Sequence, residues 1–335
     1  MTNIIHSYKL LSIVCMLIIT SFNAGCDNNS LMNEDKNNEI YLNYTEAVGK
    51  DISGHSYTGG IEEGIINVQM AEMIHAKMAE NGITGIEFSK AETFKEIKDG
   101  SYQTGQTIFA NDRTKQLPFG WVPGDVRRGA DGNNLTYMVF EPLSYANTGN
   151  TLPIIDAKPI FDEAFSTWNK LKNNSGPEII KRSVPGVIPS AILILNGFVN
   201  NPLSADIGSI GFVPGSMFDA FLGPGASGSV LGVAFTFTFI GSNETAHVEI
   251  WYNDNFPWSD NGTPGTIDIE SVAVHENGHA LGFDHFGRIA LVDANGRLNV
   301  SPRAVMNAAY LGPQRELLGT DKASFNQRYG DWPTE

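Results

Sequence analysis

Every second residue is apolar across VAFTFTFI (233–240). Val233, Phe235, Phe237 and Phe239 fall on one side and Ala234, Thr236 and Thr238 on the other, the two-residue period of a strand. GSNET (241–245) turns the chain and AHVEIWYND (246–254) runs back, which predicts a hairpin. LTYMVFE (135–141), AILILNGF (191–198) and IGSIGFV (207–213) read as further strands. The period changes in DAKPIFDEAFSTWNKLKN (156–173), where Ile160, Phe161, Ala164, Phe165, Trp168 and Leu171 predict a long amphipathic helix. A second helical pattern runs from Ile61 to Ile97, with Met70, Met73, Ile74 and Met78 spaced as one stripe. Such a Met stripe is more often a core face than a binding groove. Residues 117–134 are dense in Gly, Pro and turn formers and mark a boundary. The pattern divides the chain into a leader (1–25), a tether and N-terminal helical region that is a candidate pro-segment (26–116), and a main domain (117–335).

Composition narrows the function. Of 335 residues, 41% are hydrophobic and 18% charged, and the formal charge is −15. A phosphate backbone is attracted by clustered Lys and Arg; no such cluster occurs, so nucleic acid is not an expected partner. In the leader, Lys9 precedes an apolar stretch from Leu10 to Phe22, too short to span a bilayer but suited to a secretory signal. Ala24 and Gly25 then precede Cys26, as at the cleavage and lipidation site of bacterial lipoproteins, although Asn23 stands where that pattern has an aliphatic residue. The expectation is an exported protein, at the cell surface or outer membrane through a lipid on Cys26, otherwise secreted. The membrane would be touched only through that lipid, and a monomer is expected. Both cysteines, Cys15 and Cys26, lie in the leader, so no disulfide is expected in the rest.

The densest chemistry lies in IDIESVAVHENGHALGFDHFG (267–287). His275 and His279 are four apart, so on a helix their imidazoles emerge from one face. Two neutral imidazoles so placed can share one Zn²⁺ at about 2.0–2.1 Å. Glu276 follows the first His, where its carboxylate can take the proton of a metal-activated water without using a ligand position. Gly282 can adopt the left-handed conformation that ends a helix and reverses the chain, bringing His285 back as third ligand. Three protein ligands leave a vertex open for water, the mark of a catalytic rather than structural zinc. The loop YNDNFPWSDNGTPG (252–265) offers Asp254, Asn255, Asp260 and Asn261, oxygen donors suited to Ca²⁺. A turn-rich loop is the plainer reading of that composition.

The H-E-x-x-H-x-x-G-x-x-H run resembles the metzincin clan of zinc endopeptidases. The resemblance implies a Met-containing turn beneath the metal, and Met306 in SPRAVMNAAY (301–310) stands twenty-one residues after His285. Within the clan the details look most like the matrixins, which carry a Tyr four residues past the Met in the wall of a substrate pocket; Tyr310 matches. The stretch LLGTDKASFNQRYG (317–330) resembles the matrixin closing helix. The resemblance covers roughly Leu135 to Trp332 and is strongest over 267–330. It implies an α+β fold: a twisted, mixed five-stranded sheet, a long active-site helix, the Met-turn and a C-terminal helix, after a small N-terminal region. It also implies that a strand like Gly232–Phe239 is the sheet edge along which a substrate lies antiparallel.

Four departures stand out. Phe286 follows the third His and Ala308 stands two past the Met, where matrixins have Ser or Thr and Pro respectively. Outside the leader and the motif only His247 lies in the main domain, too few for a second, structural zinc. No cysteine is available for a thiol latency switch, so an inhibitory N-terminal segment would act through a carboxylate or by steric cover. The activity implied is hydrolysis of peptide bonds in proteins by a zinc-activated water, with Glu276 as general base. The alternative is a surface-anchored binding protein that keeps the fold without turnover. Such relatives lose the Glu or a ligand, and this chain retains all four residues.

Overall fold

The computed structural model describes residues 49–50, 56–57, 68–97, 107–110, 117–128, 132–146, 154–172, 176–184, 187, 190–196, 202–291 and 298–333. The leader and Cys26 lie outside the described residues. No helix among those described is long and apolar enough to cross a membrane.

Helix α1 (Val68–Glu80) leads into strand β1 (Ile86–Glu96), and β2 (Thr107–Ala110) follows. Then come β3 (Leu135–Val139), α2 (Lys158–Asn169), β4 (Ile179–Lys181), β5 (Ile207–Val213) and the short α3 (Gly215–Leu222). The hairpin is β6 (Val230–Phe239) and β7 (Thr245–Asn253). Helix α4 (Ile269–Ala280), β8 (Arg288–Leu291), β9 (Leu298–Ser301), β10 (Ala309–Tyr310) and α5 (Gly319–Tyr329) complete the chain.

The main sheet has seven strands in the order β10-β1-β6-β7-β5-β3-β4, where five are expected. Strands β7, β5, β3 and β4 are parallel and β6 is antiparallel to β7, so the sheet is mixed. Two further strands lie beyond β6, so β6 is not the sheet edge that the resemblance implies. β1 pairs antiparallel with β6, and β10 pairs parallel with β1. Two strands from before residue 117 are therefore built into the sheets of the main domain, since β2 also pairs with β8.

Nearly all of β6 and β7 is buried, because both sheet faces are covered. On one face Val233, Phe235 and Phe237 pack with Met70, Ile74 and Met78 of α1 and with Met217, Phe218 and Phe221 of α3. On the other, Leu231 and Ala234 join α2, α4 and α5 through Phe161, Trp168, Val272 and Phe325. Of the Met stripe only Met73 faces solvent, so three of its four positions are core.

Two expectations are corrected. The helical pattern taken to run from Ile61 to Ile97 is a helix only over 68–80 within the described residues, and 86–96 is a strand. From Lys90 to Phe94 both faces of that strand are covered, so its period-two signature is erased. AILILNGF is not a strand where it is described. Leu193–Asn196 is a 3₁₀ turn, and the N–H groups of Ala191 and Ile192 go to the buried Glu249 carboxylate instead of a neighbouring strand.

Helix α4 is fixed at both ends. Asp268 caps its start, accepting from the Ser271 N–H at 3.0 Å and from Arg315 at 2.6 Å. At its end Gly282 has φ +80°, with Gly282 N–H donating to His279 O and Phe283 N–H to Gly278 O, the paired bonds of a Schellman motif. A Cβ at Gly282 would overlap the Phe119 carbonyl. The remaining terminal carbonyls accept from Trp121 Nε1 and the Tyr329 hydroxyl, on Ala280 and Leu281 respectively.

The segment before β3 is held by a buried ion pair. Arg128 Nε lies 2.8 Å from Asp206 Oδ1, and Asp206 Oδ2 accepts from Thr136 N and Oγ1. Arg128→Met leaves a buried carboxylate without its cation and should cost about 3–5 kcal/mol, read from urea unfolding midpoints. Asp254, after β7, gives the opposite sign. Burial pushes its carboxyl up to about 6, against one N–H bond from Gly215. Below the unfolded value of 3.8 the protonated group is fully compatible with folding, and that contribution is lost as the pH rises through about 6. Asp254→Asn should gain about 3 kcal/mol relative to the parent chain between acid and neutral pH, measured as the pH dependence of the difference in Tm.

Candidate metal centre

His275 and His279 lie one turn apart on α4, and the reversal at Gly282 returns His285 beside them. All three are almost fully buried. Their Nε2 atoms form a nearly equilateral triangle with sides of 3.0, 3.0 and 3.1 Å. Among the described residues this is the one group of three or more His, Cys, Asp or Glu side chains placed to share an ion.

The protonation pattern follows from the other ring nitrogens. His275 Nδ1 donates to Val305 O at 2.7 Å and His279 Nδ1 to Phe283 O at 2.8 Å. That tautomer leaves their Nε2 lone pairs bare and aimed at one point. Burial, then repulsion from His279 and His285, holds the His275 pKa well below the usual imidazole value, so that ring is neutral. Lone pairs facing one another at 3.0 Å in a dry interior repel unless a cation sits between them. A triangle of this size lets one ion stand about 2.0–2.1 Å from all three corners. The donor set therefore fits a zinc-sized metal.

Glu276 sits beside the triad, fully buried, and neither carboxylate oxygen has a hydrogen-bond partner among the described residues. Burial, then the nearby Glu92 carboxylate, raises its pKa well above the usual value. Its space comes from β6: a Cβ at Gly232 would stand 2.6 Å from Glu276 Oε1.

Met306 is fully buried beneath α4, where a Cβ at Gly278 would overlap its Sδ. The turn that carries it is pinned by Asp321, which accepts from Val305 N at 3.0 Å, Met306 N at 3.3 Å and Leu318 N at 2.8 Å. Asn307 adds a second brace, accepting from Ala304 N and donating to Phe286 O and Pro302 O. Phe286, one of the departures, answers by donating its N–H to Met306 O. Tyr310 lies on β10, where its hydroxyl accepts from Asp268 N at 3.0 Å. In the 252–265 loop Asp254 accepts from Gly215 N–H, the Asp260 backbone carbonyl from Arg315, and Asn261 Oδ1 from Thr263 N–H.

Sequence reasoning did not name the residues that β1 brings here. Phe94 stacks on His275 with ring centroids 3.7 Å apart, and its edge meets Tyr310 at 6.2 Å. Glu92 Oε1 lies 3.1 Å from His279 Nδ1 and 2.8 Å from Lys90 Nζ, and Lys90 also pairs with Asp284. Phe109 of β2 meets His285 edge-on at 6.1 Å. The only cue in the sequence was the aromatic and β-branched content of EFSKAETF, hidden inside a pattern taken as helical. Asp321 was visible only as an acidic residue in the first turn of α5.

The contact beneath α4 is testable. Gly278→Ala drives a methyl into Met306 and should cost about 1–3 kcal/mol. Gly319→Ala, where the added Cβ meets nothing within 4 Å, should be neutral or slightly stabilising; thermal melts of the two variants read the difference.

Residues 130–292 match the Peptidase_M10 (matrixin) family. The match contains the three histidines and Glu276; β1 lies before it, and Met306, Tyr310 and α5 lie after it. No curated protein matches the chain. Over residues 130–292 the chain is thus similar to the matrixins, a family of metzincin metallopeptidases.

Proposed function

We propose that the chain is a zinc-dependent endopeptidase that hydrolyses peptide bonds in proteins, with His275, His279 and His285 as ligands and Glu276 as general base. The observation that carries this reading is the convergence of three Nε2 atoms at 3.0–3.1 Å beside a buried carboxylate with no partner of its own. When bound, zinc would supply a Lewis acid to polarise the scissile carbonyl and acidify a water. Glu276 then takes the water proton as the oxygen attacks and delivers it to the departing amine. Gly232 lets that carboxylate approach β6, where an extended peptide could align through main-chain hydrogen bonds only in the place that β1 holds in this structure. Met306 forms an apolar floor under the imidazoles without ligating, and Val305 O and Phe283 O hold two of the rings in the metal-ready tautomer. Tyr310 lines the pocket beyond the scissile bond. The leader and Cys26 support a site of action outside the cytoplasm, with a lipid on Cys26 as tether.

Glu276→Gln should still bind one zinc per chain and lose turnover by about 10²–10⁴-fold. Zinc content by atomic absorption and hydrolysis of an unfolded protein substrate check the two halves separately. A Gln variant that cleaves at the parent rate would overturn the assignment of the base.

A further inference from the structure

Tyr252 of β7 is fully buried, and its hydroxyl has no hydrogen-bond partner among the described residues. The ring itself packs well. It stacks on Phe161 with centroids 4.9 Å apart, lies 5.3 Å from Phe212 and meets Trp258 edge-on at 6.3 Å. A phenylalanine would make the same three contacts without burying an unbonded oxygen, which destabilises a fold. Elsewhere in the domain such oxygens are bonded: the hydroxyls of Tyr137 and Tyr329 donate to Asp162 and Leu281 O, and that of Tyr310 accepts from Asp268 N. Ring packing therefore accounts for the aromatic side chain at 252 but not for its hydroxyl.

Strand register places the general base beside that hydroxyl's ring. Tyr252 pairs with Gly232 across β7 and β6, and directly opposed residues of an antiparallel pair project from the same face. Gly232 has no side chain to project, and the Glu276 carboxylate takes the space: a Cβ at Gly232 would stand 2.6 Å from Glu276 Oε1 and 3.1 Å from its Cδ. Glu276 thus sits where the cross-strand neighbour of Tyr252 would be. Burial, and then the Glu276 charge, hold the Tyr252 hydroxyl well above its usual value, so it keeps its proton and is a donor. Both Glu276 oxygens also lack a partner among the described residues. One donor and one acceptor, each otherwise unbonded, share one notch of the sheet.

We infer that Tyr252 is a positioning residue for Glu276: its hydroxyl donates to one carboxylate oxygen, directly or through one buried water, and leaves the other oxygen to take the proton of the attacking water. A carboxylate held by one oxygen keeps its orientation through the reaction, which is where a general base gains its efficiency. Tyr252 acts only through Glu276. Its consequence for turnover rests on the peptidase reading, whereas the contact between the two side chains does not.

The test combines two substitutions in the full-length chain. Tyr252→Phe removes the oxygen and keeps the ring, and Glu276→Leu removes the acceptor at similar size. Thermal melts in EDTA read the contact without any turnover. In the parent chain Tyr252→Phe should lower the Tm by about 2–4 °C, because a buried carboxylate loses its donor. In the Glu276→Leu chain the same change should raise the Tm, because it removes a hydroxyl that has lost its acceptor. In the zinc-loaded chain Tyr252→Phe should retain one zinc per chain by atomic absorption and lower kcat on an unfolded protein about tenfold, with KM changed less than about twofold. A Tm shift of the same sign and size in both backgrounds would overturn the contact. Opposite shifts with an unchanged kcat would overturn the positioning role. Opposite shifts in a chain whose parent hydrolyses nothing would support the contact and defeat the peptidase reading.

Discussion

Three imidazole nitrogens pointing at one dry point are unstable as a set without a cation, and the rest of the structure reads as the means of forcing them there. Two rings are held by backbone carbonyls on their far nitrogens. The third is returned by a glycine at φ +80° whose missing Cβ lets the chain pass the Phe119 carbonyl. Beneath them Met306 fills the notch over Gly278, and its turn hangs on the Asp321 carboxylate. Each element restricts the motion of a ligand, so the work of bringing the nitrogens together is spread over the core of the domain.

The same centre explains why so much polarity is tolerated in the interior. Glu276 is buried with no hydrogen-bond partner among the described residues, and Lys90, Glu92 and Asp284 form an ion cluster beside it. In an ordinary core such groups would be paired or absent. Here they gather around a site made for a dication, whose field would offset the cost of an ionised carboxylate nearby. By contrast Arg128–Asp206 and Arg315–Asp268 are directly hydrogen-bonded pairs, and each ties a loop to the scaffold.

The elements read from the sequence fared according to how local their causes are. The β6–β7 hairpin, helix α2 and the helix-and-reversal of 269–285 were legible because a turn, a 3.6-residue stripe or a glycine within the segment decides them. The 86–96 strand was not: its two faces are buried by different partners, so no alternation survived, and a neighbouring Met stripe suggested one longer helix. AILILNGF failed for a related reason, since its backbone donors are captured by Glu249 from β7. The sheet grew from five strands to seven because β1 and β10 add beyond the expected edge, and nothing in either segment specifies that edge.

By itself, then, the amino-acid order determined the donor set and its chemistry: His275 and His279 on one helical face, Glu276 between them, Gly282 to turn the chain and His285 to meet them. Those relations span eleven residues and follow from helix pitch and the freedom of glycine. Only the tertiary structure decided what lies against the centre: Phe94 and Glu92 on one side, Met306 beneath, Asp321 behind. These partners are remote from it in sequence or arrive on strands, and a strand's period says which way its side chains alternate but not which edge it joins.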